Sequence, residues 1–213
     1  MNTLIKLLGT CVVLLGSLQA LAADSIASLQ QDWARIKYEM PEKAQTPALK
    51  QLVDRAEQYG ADHAGEAAAL IWEGIIRATY AGADGGLSAL GQAKKARALF
   101  ERAIELDGHA LHGSAYTSLG SLYYQVPGWP VGFGNDKKAR EMLQKGLLEN
   151  PDGIDSNYFF GDFLLQQGEY DAAIMALEKA LKAPDRPDRA LADQGRRAEI
   201  RGALDRARNR QKS

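Results

Sequence analysis

The 213-residue chain is 46% apolar and 25% charged, a globular balance that excludes a disordered tail-like protein. Its formal net charge is −1, and no aromatic–basic sheet motif or other nucleic-acid signature accompanies it, so no nucleic-acid partner is expected. The one cysteine, Cys11, lies in the first dozen residues, leaving the rest without a thiol for a disulfide or a cysteine metal site.

Residues 1–22 have the make-up of a secretory signal peptide. Lys6 supplies the positive start, Leu7 to Leu18 the apolar run, and Ala20-Leu21-Ala22 a small-x-small cleavage site. The run is too short and wrongly flanked for a spanning helix. Cleavage after Ala22 is expected, giving a periplasmic chain, residues 23–213, with no transmembrane segment. Lipid attachment at Cys11 is disfavoured, because the apolar run before it is barely one helical turn. Without Lys6 the chain carries 25 basic and 27 acidic residues, unevenly placed: Arg189 to Ser213 holds eight basic and three acidic ones. The plain reading is a solvated basic face on a terminal helix; contact with an acidic partner or membrane surface is the sharper one.

The mature chain reads as helix throughout. Ser25 to Met40 places Ile26, Leu29, Trp33, Ile36 and Met40 at helical spacing, and Pro41 ends it. Pro47 to Tyr59 uses Leu49, Leu52, Val53 and Ala56, with Gly60 as its stop. These amino-terminal helices, within residues 23–61, lack any repeat signature and are expected to cap a stack. Asp62 to Tyr80 is a long helix, broken by Gly82-Ala83-Asp84-Gly85-Gly86. Leu87 to Leu106 resumes, and His109 to Tyr124 follows. Gln125 to Asn135 (QVPGWPVGFGN) cannot continue a helix. Its Trp129 and Phe133 either plug a gap between helix pairs or line a binding site. After Pro184-Asp185-Arg186-Pro187, residues 188–213 form a basic terminal helix, with Leu191, Ala198, Leu204 and Ala207 as its apolar stripe.

The strongest pattern is Asn157 to Leu181, two short helices meeting at Gly168. Phe160, Gly161 and Leu164 share one face, and Ala173, Leu177, Ala180 and Leu181 the facing one. Ala139, Leu143, Gly146 and Leu147 repeat the second set 34 residues earlier. Tyr116, Leu119, Gly120 and Tyr123 repeat the spacing of Asn157, Phe160, Gly161 and Leu164, with seven more residues in the turn. In Leu70 to Gly108, Gly74, Ala96, Phe100, Ala103 and Ile104 fit again. There Glu73 and Arg77 hold places that the pattern fills with apolar residues, which implies a rotated or degenerate helix.

This motif resembles the tetratricopeptide repeat (TPR), a 34-residue helix–turn–helix unit. The resemblance covers residues 70–187, about three repeats. It implies an all-α, right-handed TPR-type helical solenoid with amino- and carboxyl-terminal capping helices, whose first helices line a concave face that binds proteins. The exposed stripe there is expected to hold Thr117, Ser121, Tyr124 and Gln125, then Tyr158, Asp162, Leu165 and Gln166. Water or a neighbouring helix is the alternative contact for them. A narrower resemblance, to the T-component proteins of tripartite periplasmic (TRAP) solute transporters, rests on two stretches. One is the Gly-rich turn before Ala93-Lys94-Lys95-Ala96. The other is Gly128-Trp129-Pro130 to Gly134 before Asp136-Lys137-Lys138-Ala139. It implies docking on a periplasmic solute-binding protein, self-association, and a passage for an apolar solute.

Catalytic motifs are absent. Gly82 to Gly86 lacks the lysine and hydroxyl residue of a phosphate loop, and no Gly-x-Ser-x-Gly or His-Glu-x-x-His occurs. His109 and His112 sit one helical turn apart without a third ligand, so no metal is assigned. Asp152 and Asp155 flank a helix start and read as capping carboxylates. Glu73 and Arg77 are spaced to pair. No enzyme and no cofactor is expected. The expected function is a non-catalytic periplasmic adaptor that binds a protein partner through its concave face and assists a solute transporter. The alternative is a small apolar-ligand carrier with residues 125–135 as its lid.

Overall fold

In the computed structural model, which describes residues 24–212, the helical stripes fold into α1 (Ile26–Glu39), α2 (Glu42–Asp62), α3 (Ala67–Asp84), α4 (Gly86–Asp107), α5 (Ala110–Gln125), α6 (Asp136–Glu149), α7 (Ile154–Gln166), α8 (Tyr170–Leu181) and α9 (Ala190–Gln211). Three successive pairs, α3 with α4, α5 with α6, and α7 with α8, share one contact. A glycine of the first helix lies under a large apolar side chain of the second: Gly74 under Phe100, Gly120 under Leu143, Gly161 under Leu177. A Cβ at these glycines would meet the partner at 2.5, 2.7 and 2.7 Å, nearer than unbonded carbons pack. Phe100, Leu143 and Leu177 are buried, as are Ala96, Ala139 and Ala173. Small residues let the axes approach, and the large one fills the groove they leave.

The leading pair is therefore not rotated, and its departure from the pattern is confined to two positions. At its apolar positions stand Glu73 and Arg77, both buried, with Arg77 Nε donating to Glu73 Oε1 at 2.7 Å. Glu57 at 2.9 Å and the Gln92 side chain at 2.9 Å accept from the same guanidinium. An ion pair with its hydrogen bonds satisfied replaces apolar packing here.

Several boundaries differ from the sequence expectation. α2 begins directly after Pro41 and contains Pro47. The donor missing at Pro47 frees the Lys43 carbonyl, and both residues are exposed, so solvent satisfies it. Gly60 does not stop the helix but is buried within it, where a Cβ would lie 2.4 Å from Glu73 Oε2. The five-residue break narrows to Gly85 and Gly86, with φ of 65° and 66°. Such backbone favours glycine. In α5, Leu111, His112 and Gly113 are left-handed, so His109 and His112 do not share a helical face.

The two ends of the stack meet. α9 lays Ile200, Ala203 and Leu204 on Ile154, Leu177 and Ala180, while Ala192 joins Trp33, Leu49 and Trp72 of the amino-terminal core. Gly195 fits against Tyr38, where a Cβ would lie 2.3 Å from the ring. Lys37 Nζ lies 3.0 Å from Glu199. The expected stripe on α9 is thus partly wrong. Ala198 is exposed, and the buried face runs through Ala192, Asp193, Arg196, Ile200 and Ala203, because it carries charges that hydropathy alone rejects. Among the described residues, no helix is long and apolar enough to cross a membrane. The expected signal peptide, its cleavage after Ala22 and Cys11 lie outside the described residues.

Candidate functional site: a cavity and its rim

Because the ends touch, the inward faces of α1, α3, α5, α7 and α9 line a partly open cavity of about 1000 Å³. That size suits a ligand site. Trp33, Trp72 and Ile75 form one apolar wall, and Leu122, Tyr158 and Phe159 another. Trp33 and Trp72 meet edge to face at 5.9 Å, and Trp33 Nε1 donates to the Thr79 hydroxyl at 2.9 Å, which fixes the indole.

The third wall is charged. Asp155, in the first turn of α7, accepts from Arg186 Nη1 at 2.6 Å and from Arg196 Nε at 2.7 Å. Arg186 is also held by Asp193, whose carboxylate accepts from both its Nε and its backbone N–H. Arg196 donates to Glu199 and lies 4.5 Å over Tyr158 and 4.7 Å over Phe159. Burial pushes the Asp155 carboxyl up, but the Arg196 and Arg186 charges outweigh it and hold it well below the usual carboxylate range. Burial pushes the Tyr158 phenol up to about 12, against the lowering effect of Arg196. These groups stay charged, or in the tyrosine's case neutral, throughout the physiological range.

The structure divides the residues singled out from sequence. Thr117, Ser121, Gln125 and Tyr158 line the cavity. Thr117, Ser121 and Tyr124 are not exposed as expected but buried; Thr117 and Ser121 face the cavity. Tyr124 leaves the cavity wall and donates to Asp162 at 2.9 Å, while Gln125 and Gln166 donate to Tyr124 and Asp162 at 3.2 and 3.3 Å. Burial and then the Asp162 charge raise the Tyr124 phenol well above its ordinary value. Leu165 is half-buried and packs into two core clusters, so it is mainly a packing residue.

The 125–135 loop contributes only Gln125 to the cavity wall, so it is not the cavity's lid. It folds back on α5 instead. Asn135 N–H donates to the Tyr123 carbonyl at 2.7 Å, Phe133 meets Tyr123 edge-on at 6.0 Å, and the Arg97 guanidinium lies 4.9 Å over Phe133. Phe133 is packing. Trp129 is 90% exposed and Val131 67%, both at the tip.

The charged wall was the part sequence reading missed. Arg189 and Arg196 lie in the tail read as a solvated basic face, yet they point inward, and Arg196 is buried. The available signal was the interleaving of Asp193 and Glu199 with Arg186, Arg189 and Arg196. Asp155, read as a cap, binds two arginines, whereas Asp152 is exposed and pairs with Lys179 at 3.1 Å. His109 pairs with Glu149 at 2.7 Å instead of with His112. Among the described residues, no group of three or more His, Cys, Asp or Glu is placed to hold a metal.

The tetratricopeptide-repeat profile matches residues 87–109 and 154–185. No curated protein matches the sequence. Among solved structures, TTC0263, a thermophilic TPR protein of Thermus thermophilus, aligns with a TM-score of 0.54 and 20% identity over 85% of this chain and 87% of its own. A structure of MamA aligns more loosely, at 0.46 and 18% identity, covering 89% of this chain and 96% of the other. At such identities the likeness concerns the fold. The repeated glycine seam, the matched repeats and the shared solenoid lead to one assignment: residues 87–109 and 154–185 are tetratricopeptide repeats, and the chain has the all-α solenoid fold that such repeats build.

Proposed function

We propose that the chain is an exported, non-catalytic scaffold of the periplasm that docks a partner protein at the rim formed by the carboxyl ends of α5 and α7. The observation that carries this reading is Trp129, 90% exposed at the tip of a loop braced by backbone hydrogen bonds and by Phe133. A solvent-facing indole on a braced loop is a side chain suited to anchor an interface. Towards the carboxyl ends of α5 and α7, Gln125, Asp162 and Gln166 supply fixed polar contacts. A solute-binding protein of a transport system is the partner class suggested by the TRAP T-component resemblance, and self-association through the same rim is the alternative.

Photo-crosslinking in the native host tests this. A crosslinking side chain at Gln125 or Gln166 is expected to capture one partner, while the same group at Met175, exposed on the outer face of α8, captures none. Trp129→Ala should lower the adduct yield at least fivefold and leave the melting temperature unchanged, since an exposed side chain contributes within about 0.5 kcal/mol of stability. Equal capture from Met175, or full yield from the Trp129 variant, overturns the rim. An adduct that is not a solute-binding protein removes the transporter role alone. Sequencing the amino terminus of the protein from a periplasmic fraction should read from Ala23; a cytoplasmic chain starting at Met1 overturns the setting.

A further inference from the structure

Arg189 is the one cavity-wall cation without an anionic partner among the described residues. Every neighbouring carboxylate oxygen is already engaged. Asp155 Oδ1 and Oδ2 are taken by Arg196 and Arg186, Asp193 Oδ1 and Oδ2 by the Arg186 side chain and backbone, and Glu199 by Arg196 and Lys37. Arg189 Nε is buried with no hydrogen-bond partner. Its guanidinium lies 4.9 Å from the Trp72 ring, which offers attraction to a cation but no acceptor. A buried donor without an acceptor is costly, and beside a cavity a ligand oxygen can supply the missing acceptor.

We infer that the cavity holds a small organic monoanion, a carboxylate bound to Arg189, whose apolar body lies along Ile75, Leu122 and Phe159. A carboxylate supplies the acceptor that the Arg189 guanidinium lacks. The apolar walls disfavour a bare inorganic anion, which would keep its hydration. The cavity formed where α1 meets α9 has room, at about 1000 Å³, for a small molecule and not for a folded partner. The guanidinium's proton affinity, lowered by burial and by neighbouring Arg186, is restored by the anion. Arg189 takes no part in the rim contacts, and the test of this site needs no protein partner.

Isothermal titration calorimetry of the purified protein with 2-naphthylacetate, its neutral amide and inorganic phosphate reads the inference directly. The acid is expected to bind at least tenfold more tightly than the amide, and phosphate at least tenfold more weakly than the acid. Arg189→Gln should bring acid and amide to within twofold of each other, and Arg189→Lys should keep part of the difference. Circular dichroism confirms that both variants keep the parent's helicity. Failure of the parent to bind the acid, equal binding of acid and amide, phosphate binding as tight as the acid, or discrimination unchanged in Arg189→Gln each overturns it. If Arg189→Gln fails to fold, Arg189→Lys decides: discrimination equal to the parent's counts against a bidentate guanidinium contact, and a reduced one supports it.

Discussion

Gly161→Ala tests the seam that builds the whole stack. The new Cβ would sit 2.7 Å from Leu177 Cγ, 3.0 Å from Cδ2 and 3.3 Å from the Ala173 carbonyl oxygen, in a place where Leu177 and Ala173 are fully buried. Overpacking a tight core costs about 1–3 kcal/mol. Alanine regains about 1 kcal/mol over glycine within a helix, so the net loss is about 0–2 kcal/mol. Leu177→Ala alone opens a cavity and costs about 2–5 kcal/mol. In that background the clashing Cγ and Cδ2 are gone, and Gly161→Ala should become stabilising by about 1 kcal/mol, through helix propensity alone. The sign of one substitution therefore reverses with the identity of the residue above it, a coupling of about 1–3 kcal/mol. Urea unfolding followed by circular dichroism measures the four proteins, with an unchanged m-value required for the comparison. For a chain of this length each kcal/mol moves the melting temperature by about 2–4 °C. If Gly161→Ala has the same effect with Leu177 present or absent, the two residues do not touch and the seam is misassigned.

Two further outcomes follow from the charged groups. Asp155→Asn should lower stability at neutral pH by on the order of 2 kcal/mol. That is less than the about 3–5 kcal/mol of a fully buried pair, because Asp155 is 33% exposed and Arg196 keeps Glu199. Since the Asp155 carboxyl is depressed in the fold, its contribution is complete above the unfolded value of about 3.9 and fades as the pH falls below it. The stability gap between parent and variant should therefore shrink from pH 7 to pH 3; a constant gap refutes the pairing. At His109, the Glu149 hydrogen bond and charge raise the imidazole above its ordinary 6.5. An NMR titration should find a midpoint above that value and see it return in Glu149→Gln; identical midpoints would place Glu149 elsewhere in solution.

Short-range periodicity was enough to announce the helices and the seam. Gly120, Gly161, Ala139 and Ala173 recur at repeat spacing because two helix axes can close only where side chains are small, and that requirement is written locally in each pair. Gly74 obeyed the same rule even where Glu73 and Arg77 broke the apolar pattern. Helix ends were less legible. Pro47 and Gly60 usually punctuate, yet here an exposed carbonyl tolerates the first and the crossing Glu73 side chain requires the second.

Curvature belongs to the tertiary structure alone. Each repeat adds a small rotation, and only the accumulated sum brings Tyr38 against Gly195, more than 150 residues apart in the sequence. That closure turns the concave stripe of Thr117, Ser121 and Tyr158 into a cavity wall, and turns Arg189 and Arg196 from tail charges into inward-facing groups. Charge in a sequence reports the cost of burial, whereas its partners, Asp155 from one repeat and Glu199 from the last helix, are chosen only when distant segments meet.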